Sequence, residues 1–395
     1  MGGHNMKKYS AFCFLLIGIF YIIQVSVLGY TVYFLSENGW AVVEIGILMA
    51  AFGIVAAFTQ PLLGFVADKN NKIDFKSILT CAALIVTVLF VLLLFFDKNK
   101  IVIGILFGIT FVMTNSMSPF VNSSCFYYKD RGINVDFGKA RGFGSFSFAI
   151  TSYILGSFTK IFGTKSISLN GIIATIIFFI VVLLMPRIKK EDYTVEEKHN
   201  DIVSNDGKIQ FILIKKYPSF FLIVIATTLA MCFQNADCGY LIEIIEELGG
   251  NSSNLGLANA IAAISEIPIM FLISKIMNRI KVKKLIAIAC AFYVLRGFVF
   301  HISSMKAIYI AQLMQMLSYA ILIPSTVYLS DEMMQDEDKN KGQTFIGMAI
   351  TIGLILGSFI GGQLVSAGGT DLLEIGCIVI AILSFIFAML GILVK

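Results

Sequence analysis

Apolar residues fall along this chain in long blocks rather than at a helical or strand period. Twelve blocks are of a length that crosses a bilayer as a helix, about 20 mostly apolar residues. They lie at roughly 9–36, 43–67, 77–96, 101–128, 140–162, 167–186, 217–242, 254–274, 284–304, 306–330, 342–368 and 372–394. Two of them, Ile78 to Phe96 and Ile167 to Met185, hold no charged residue at all. Short polar connections such as Asp97-Lys98-Asn99-Lys100 separate most blocks. One connection is long: Pro186 to Lys216 carries 7 Lys/Arg and 6 Asp/Glu and reads as a solvated linker. The pattern therefore predicts an all-α integral membrane protein with twelve transmembrane helices in two six-helix bundles, 1–189 and 216–395, joined by a linker over 190–215. The first block follows Met6-Lys7-Lys8, as a signal peptide would, but its uncharged run from Tyr9 to Ser36 far exceeds an apolar signal region of about 7–15 residues. No A-x-A-like site follows it, so it is expected to stay as a span.

Composition sharpens this reading. The chain is 57% apolar and 14% charged, against about 25% charged for a soluble domain. That excludes an ordinary cytosolic enzyme, a disordered chain and a nucleic-acid-binding protein. The net charge of +5 matters less than where the basic residues lie. With the N-terminus placed in the cytoplasm, 23 Lys/Arg fall on the cytoplasmic side of the spans and five on the other. Basic loops face the cytoplasm, so both termini are expected there, in the plasma membrane.

The two halves echo one another. The fifth block reads Ala149-Ile150-Thr151 and then Ile154-Leu155-Gly156-Ser157-Phe158; the eleventh reads Ala349-Ile350-Thr351 and then Ile355-Leu356-Gly357-Ser358-Phe359. Lys341 repeats the basic entry that Arg141 makes. Parallel six-helix repeats are a transporter architecture with the solute site between the halves. The glycines of these two blocks, among them Gly142, Gly144, Gly156, Gly353, Gly357 and Gly361, predict close helix packing at the seam between the halves.

A buried charge in a membrane costs several kcal/mol, so an ionisable residue inside a span is a candidate functional residue. Glu266 in the eighth block and Arg296 in the ninth each lie twelve residues from their block's start. At 1.5 Å per residue each sits about 18 Å deep, entered from opposite faces, which brings the two to similar depth. Glu266 is the candidate proton carrier with Arg296 tuning it; a permanent ion pair between the spans is the alternative. Asp237, in the outer part of the seventh block, is the third candidate, or a residue of a wet vestibule. Uncharged polar residues that could line a solute cavity are Tyr21 and Gln24, Asn115 and Asn122, Gln234 and Asn235, and Gln312, Gln315 and Tyr319. Gln312, Gln315 and Tyr319 are spaced to share one helix face. Such amides and phenols suit a neutral polyhydroxylated or heterocyclic solute, or else hydrogen bonds between packed spans.

The seven cysteines are scattered without a C-x-x-C pair, and the three histidines, His4, His199 and His301, form no cluster. The cysteines read as small buried apolar residues, and neither a metal site nor a cofactor is expected. The sequence has no phosphate-binding loop and no protease or esterase signature, so an enzyme is not expected.

Three stretches carry a family resemblance. Gly64-Phe65-Val66-Ala67-Asp68-Lys69-Asn70-Asn71-Lys72 resembles the short cytoplasmic loop of the major facilitator superfamily. Asp136-Phe137-Gly138-Lys139-Ala140-Arg141-Gly142-Phe143-Gly144 is similar to the entry of the fifth span in its lactose permease and phenylpropionate-permease-like branch. Glu266, the basic run Lys275 to Lys284, and Arg296 are similar to the C-terminal half of that branch. The resemblance implies a twelve-helix, proton-coupled solute symporter that is a monomer. It also implies a gating role for Asp68 and an anchoring role for Arg141, which could equally reach the cytoplasmic interface with Lys139. The chain departs from that branch in two places. Val121-Asn122-Ser123-Ser124 holds no acid where the fourth span should carry one, and Gln315 and Ser318 stand where a histidine and a glutamate are expected. Lactose specificity and that branch's proton route are therefore not expected here. The expected partners are a small polar solute (sugar, nucleoside or aromatic acid), protons and lipid. The rivals are a proton-driven antiporter that exports amphipathic compounds and a transporter-shaped receptor or passive pore.

Overall fold

The computed structural model describes residues 3–69, 75–96, 99–129, 135, 137–185 and 213–394. Nearly all of the expected linker, and the last three residues of the loop stretch that begins at Gly64, lie outside the described residues. Among the described residues every regular element is helical. The apolar blocks become α1 (Gly3–Gln24), α2 (Val42–Lys69), α3 (Phe75–Phe95), α4 (Lys100–Lys129), α5 (Phe137–Phe162) and α6 (Lys165–Leu184). They continue as α7 (Pro218–Gly239), α8 (Ser252–Met277) and α9 (Val282–Phe300). The tenth, α10, is two segments, Met305–Leu313 and Tyr319–Met333. The last two, α11 and α12, are the arms of one run, Lys339–Leu393, broken at Gly368 and Gly369. Gly369 has φ +70° and ψ −164°, a backbone conformation open essentially to glycine alone. That is where the polar Gly-Gly-Thr-Asp stretch separates the last two apolar blocks, so among the described residues a helix, whole or interrupted, stands at each of the twelve predicted blocks, and nine helical runs, the α11–α12 run counted as one, are long and apolar enough to cross a membrane by length and composition.

Local chemistry sets several boundaries. Pro218 opens α7, where its missing N–H leaves no bond unmade. Ser304 caps α10 by accepting from Ala307 N at 3.2 Å. Large apolar side chains such as Phe58, Phe95 and Ile161 are exposed, as faces turned to lipid would be. Two compact units form. The first takes the described residues up to 185 together with Gly249–Ile264, and the second takes 213–248 together with Ser265 onward.

The first span of each half shares a design that the sequence comparison above did not reveal. Gln24, Gly29, Tyr30, Glu37 and Gly39 recur 210 positions later as Gln234, Gly239, Tyr240, Glu247 and Gly249. In both halves the α-helical backbone breaks at the tyrosine, Tyr30 (φ −130°) and Tyr240 (φ −101°). A seven-residue helix follows each break, Thr31–Glu37 and Leu241–Glu247, and a turn at a positive-φ glycine, Gly39 or Gly249, ends it. Each tyrosine hydroxyl then donates to a backbone carbonyl of the fifth span of its half. Tyr30 donates to Ser152 O at 2.9 Å and Tyr240 to Ser358 O at 2.6 Å. A π-turn over Val25–Gly29 precedes the first break, which frees carbonyls that side chains can then use.

The α11 glycines pack against α7 inside the second unit. A Cβ at Gly353 would collide with the Thr228 carbonyl, one at Gly357 would lie 2.5 Å from Cys232 O, and one at Gly361 would lie 2.5 Å from the Tyr240 ring. These glycines let α7 and α11 approach backbone to backbone, which is how helices associate in lipid. In the first unit Gly144 makes room for the side chains of α1, where a Cβ would lie 2.6 Å from the Tyr21 ring.

Candidate functional site

The second unit holds a polar network in an otherwise apolar interior. Its centre is Arg296 of α9, which is fully buried. A guanidinium has five N–H donors in a fixed fork and cannot shed its proton, so burial demands acceptors. Four surround it. Nη1 donates to Gln234 Oε1 at 2.9 Å, and Nη2 donates to Gln312 Oε1 at 3.1 Å and to Cys238 Sγ at 3.0 Å. The Asp237 carboxylate lies 3.5 Å from Nη2 and supplies the counter-charge. Phe300 packs 5.5 Å below the guanidinium carbon.

Gln234 relays this set outward. Its Oε1 also accepts from Tyr293 Oη at 3.1 Å, while its Nε2 donates to Gln315 Oε1 at 3.3 Å and to Cys238 Sγ at 3.0 Å. Gln315 Nε2 in turn donates to Glu266 Oε1 at 2.6 Å. Glu266 of α8 and Arg296 of α9 therefore belong to one chain of hydrogen bonds, Glu266–Gln315–Gln234–Arg296. The carboxylate that faces Arg296 is Asp237, and the Gln315 amide donates to Glu266. Asp237 is 2% exposed, so its surroundings are those of a buried counter-ion.

Gln312, Gln315 and Tyr319 do not share one regular helix face. A 3₁₀ turn spans Met314–Met316, and Ser318 has φ −100° and ψ −86°, so α10 is interrupted between them. The interruption turns Gln312 toward Arg296 and Gln315 toward Gln234 and Glu266. Discontinuous helices of this kind bring backbone and side-chain polar groups to midplane sites. Three polar atoms of the network are buried without a hydrogen bond: Arg296 Nε, Gln312 Nε2 and Asp237 Oδ2. Buried polar atoms are nearly always partnered, so these are positions where a bound molecule could complete the network.

The remaining candidates divide. Asn235 Nδ2 donates to Leu354 O and Ser358 Oγ, each at 2.6 Å, and so ties α7 to α11. Asn115 Nδ2 donates to Phe111 O of its own helix at 2.9 Å. In the first unit Arg141 stacks on the Tyr21 ring at 4.3 Å and reaches Ser145 Oγ at 3.4 Å. Gln24 Oε1 and Asn122 Oδ1 are buried without a hydrogen bond. Tyr319 opens the second segment of α10. Asp68 sits near the end of α2, and its side chain lies outside the described residues, as does all of Asp136. Sequence reasoning passed over Cys238 and Tyr293. Cys238 is not a passive apolar filler but an acceptor for both Arg296 and Gln234, and Cys81 is exposed rather than buried. The recurrence of Gln24 as Gln234 was the available signal for this centre.

Comparison with known proteins follows from this geometry. The model of the MFS_1 like family matches residues 8–373. No curated protein matches the sequence. Among solved structures, a point mutant of the nucleoside transporter NupG superposes with a TM-score of 0.81 at 16% identity, covering 98% of this chain and 99% of that one. NupG without that mutation gives 0.78 at 17% identity, with 98% of each chain covered. A bacterial homologue of the human lysosomal transporter Spinster, inward-facing and unoccupied, gives 0.68 at 12% identity over 99% of this chain and 98% of that chain. These likenesses establish the shared fold.

Proposed function

The chain belongs to the MFS_1 like family of major facilitator transporters, and from that premise we propose that it carries a small polar solute together with protons by alternating access. A nucleoside is the solute class we favour. The observation that carries this reading is the buried network around Arg296 and Gln234, with unmade hydrogen bonds at Arg296 Nε, Gln312 Nε2 and Asp237 Oδ2. Donors and acceptors fixed in an apolar enclosure select a ligand by its polar edge, and a nucleoside offers both a heterocycle edge and ribose hydroxyls. The fold likeness to a nucleoside transporter supports the same class. Glu266 and Asp237 are the proton carriers, because they are the carboxylates hydrogen-bonded or ion-paired into this network. Both termini face the cytoplasm of a plasma membrane, as the distribution of basic residues favours, and the chain works as a monomer.

The test is uptake into proteoliposomes of uridine, lactose or phenylpropionate, each offered alone with and without an imposed inward proton gradient. At one proton per solute, a gradient of about one pH unit supports about tenfold accumulation, since about 1.4 kcal/mol is a factor of ten. Uridine is expected to accumulate only with the gradient and to saturate. Equilibration of all three without saturation would mean a pore, and gradient-driven depletion of uridine would mean an exporter.

A further inference from the structure

The turn that joins α8 to α9 carries a set of cations that the buried network does not use. Lys275 lies in the last turn of α8, Arg279 and Lys281 lie between the helices, and Lys283 and Lys284 fall in the first turn of α9. The connection is tight: Arg279 N and Ile280 N both donate to Ile276 O at 3.0 Å. Lys283 turns inward and donates to Ser219 Oγ at 2.9 Å. Lys275, Arg279, Lys281 and Lys284 are exposed. Among the described residues, no ion pair or side-chain hydrogen bond engages these four. That sets them apart from Lys216, Lys339 and Lys341, which are paired with Asp338 or Asp336. One carboxylate reaches this turn, Glu332, and it accepts from Val282 N at 3.0 Å. Positive charge therefore stays in excess.

These cations end two exposed apolar faces. Pro268, Phe271, Leu272 and Lys275 of α8 are exposed at positions i, i+3, i+4 and i+7, which share one side of a helix. Lys284, Ile288, Leu295 and Phe298 of α9 are exposed at i, i+4, i+11 and i+14, again one side. Each face is apolar along the span and cationic at its end. The first turn of α9 holds no acidic residue, so the positive end of its dipole adds to the field of the lysines. Basic residues at span ends orient a protein in the membrane, but that role needs only their number on one side. Cations without protein counter-ions, set at the ends of apolar exposed faces, match an anion that is itself anchored in lipid.

We propose that the α8–α9 turn is a binding site for an anionic phospholipid. The phosphodiester sits among Lys275, Arg279, Lys281 and Lys284, and the acyl chains run along Phe271, Leu272 and Ile288. Arg279 brings a planar fork that holds two phosphate oxygens at once, and the lysines bring compact point charges. Clusters of about four or more Lys/Arg beside a span attract anionic headgroups. The proposal is independent of the solute and of its coupling to protons.

The test is native mass spectrometry of the whole protein, purified in detergent and stripped of lipid. It is titrated with phosphatidylglycerol or with zwitterionic phosphatidylcholine of the same acyl chains. Wild type is expected to bind phosphatidylglycerol at least about tenfold more tightly, with a preference that shrinks as salt is raised, because exposed charges are screened. Equal affinity for the two lipids overturns the site. Arg279→Gln with Lys284→Gln is then compared with Lys160→Gln with Lys306→Gln, which removes the same charge from exposed lysines elsewhere. The first pair is expected to lower phosphatidylglycerol affinity at least about tenfold, at about fivefold per cation, and the second to leave it at the wild-type value. Equal affinity in the two double variants overturns the assignment to this turn. Inorganic phosphate is expected not to displace the lipid; displacement means a site for soluble anions and overturns the lipid reading. Retention of the thermal unfolding midpoint separates lost binding from misfolding, and the choice of wild type between the two lipids decides the proposal where a variant does not fold.

Discussion

Asp237 Oδ2 lies 3.5 Å from Arg296 Nη2, with both side chains buried in the second unit. No hydrogen bond joins that oxygen to any protein group, so the two are held by charge and by the neighbours that fix the guanidinium. Removing one member of a buried pair leaves an uncompensated charge and typically costs about 3–5 kcal/mol. Asp237→Ala is therefore expected to lower the thermal midpoint in detergent sharply. The double change Asp237→Ala with Arg296→Met is expected to recover much of the loss. A double variant no more stable than the worse single one would mean that the pair is not coupled.

Arg296→Lys keeps the charge but not the fork. A lysine has one donor centre and cannot reach Gln234, Gln312 and Cys238 together. Transport is expected to fall by at least about tenfold with expression retained, because bidentate geometry rather than charge organises the network. Uptake kinetics check it, and wild-type uptake in the lysine variant would contradict it.

Cys238 Sγ accepts from Arg296 and Gln234 at 3.0 Å each. Cys238→Ser keeps an acceptor and is expected to hold the apparent affinity for the solute near wild type. Cys238→Val leaves two buried donors short of an acceptor, a loss of about 1–3 kcal/mol, and is expected to raise KM. Equal effects of serine and valine would show that the thiol only fills space.

The helices were readable because membrane spans are written as uninterrupted apolar runs, and the break at Gly368 and Gly369 was readable because only glycines and polar residues interrupt the last two. The breaks at Tyr240 and Ser318 were not readable, since each depends on tertiary partners, such as the Tyr240 hydroxyl on the Ser358 carbonyl. Depth arithmetic placed Glu266 and Arg296 at one level of the membrane. It says nothing of rotation about each helix axis, and rotation is what puts Asp237 and Gln234 against Arg296 and leaves Gln315 between Gln234 and Glu266.

Close approach of α7 and α11 gives a paired prediction. A Cβ at Gly353 meets the Thr228 carbonyl and lies 2.5 Å from Met231 Cβ, whereas one at Gly347 meets nothing within 4 Å. Gly353→Ala is expected to destabilise the protein by about 1–3 kcal/mol, the usual range for overpacking. Gly347→Ala is expected to be neutral or slightly stabilising. Thermal unfolding of the two variants side by side decides it.

Outside the spans, Asp338 accepts from Lys216 Nζ at 2.8 Å, Tyr217 Oη at 3.1 Å and Lys341 Nζ at 3.0 Å. The Lys216 hydrogen bond is the largest influence, and with help from Lys341 and Tyr217 it holds the Asp338 carboxyl down at about 2, against the opposing pull of burial. A carboxyl lowered by folding stabilises the protein fully above its unfolded value of about 3.9 and loses that contribution as pH falls toward its folded value. The thermal midpoint of wild type is expected to fall between about pH 4 and pH 2 by more than that of Asp338→Asn, which is already less stable at pH 7. Parallel curves for the two proteins would contradict the assignment.

Under the proposed function, proton and solute meet in one buried network, and Glu266→Gln separates the two. The variant is compared with wild type in proteoliposomes for gradient-driven accumulation of uridine and for uridine exchange at equal pH. The variant is expected to lose accumulation far more than exchange. Accumulation equal to wild type in Glu266→Gln would contradict it.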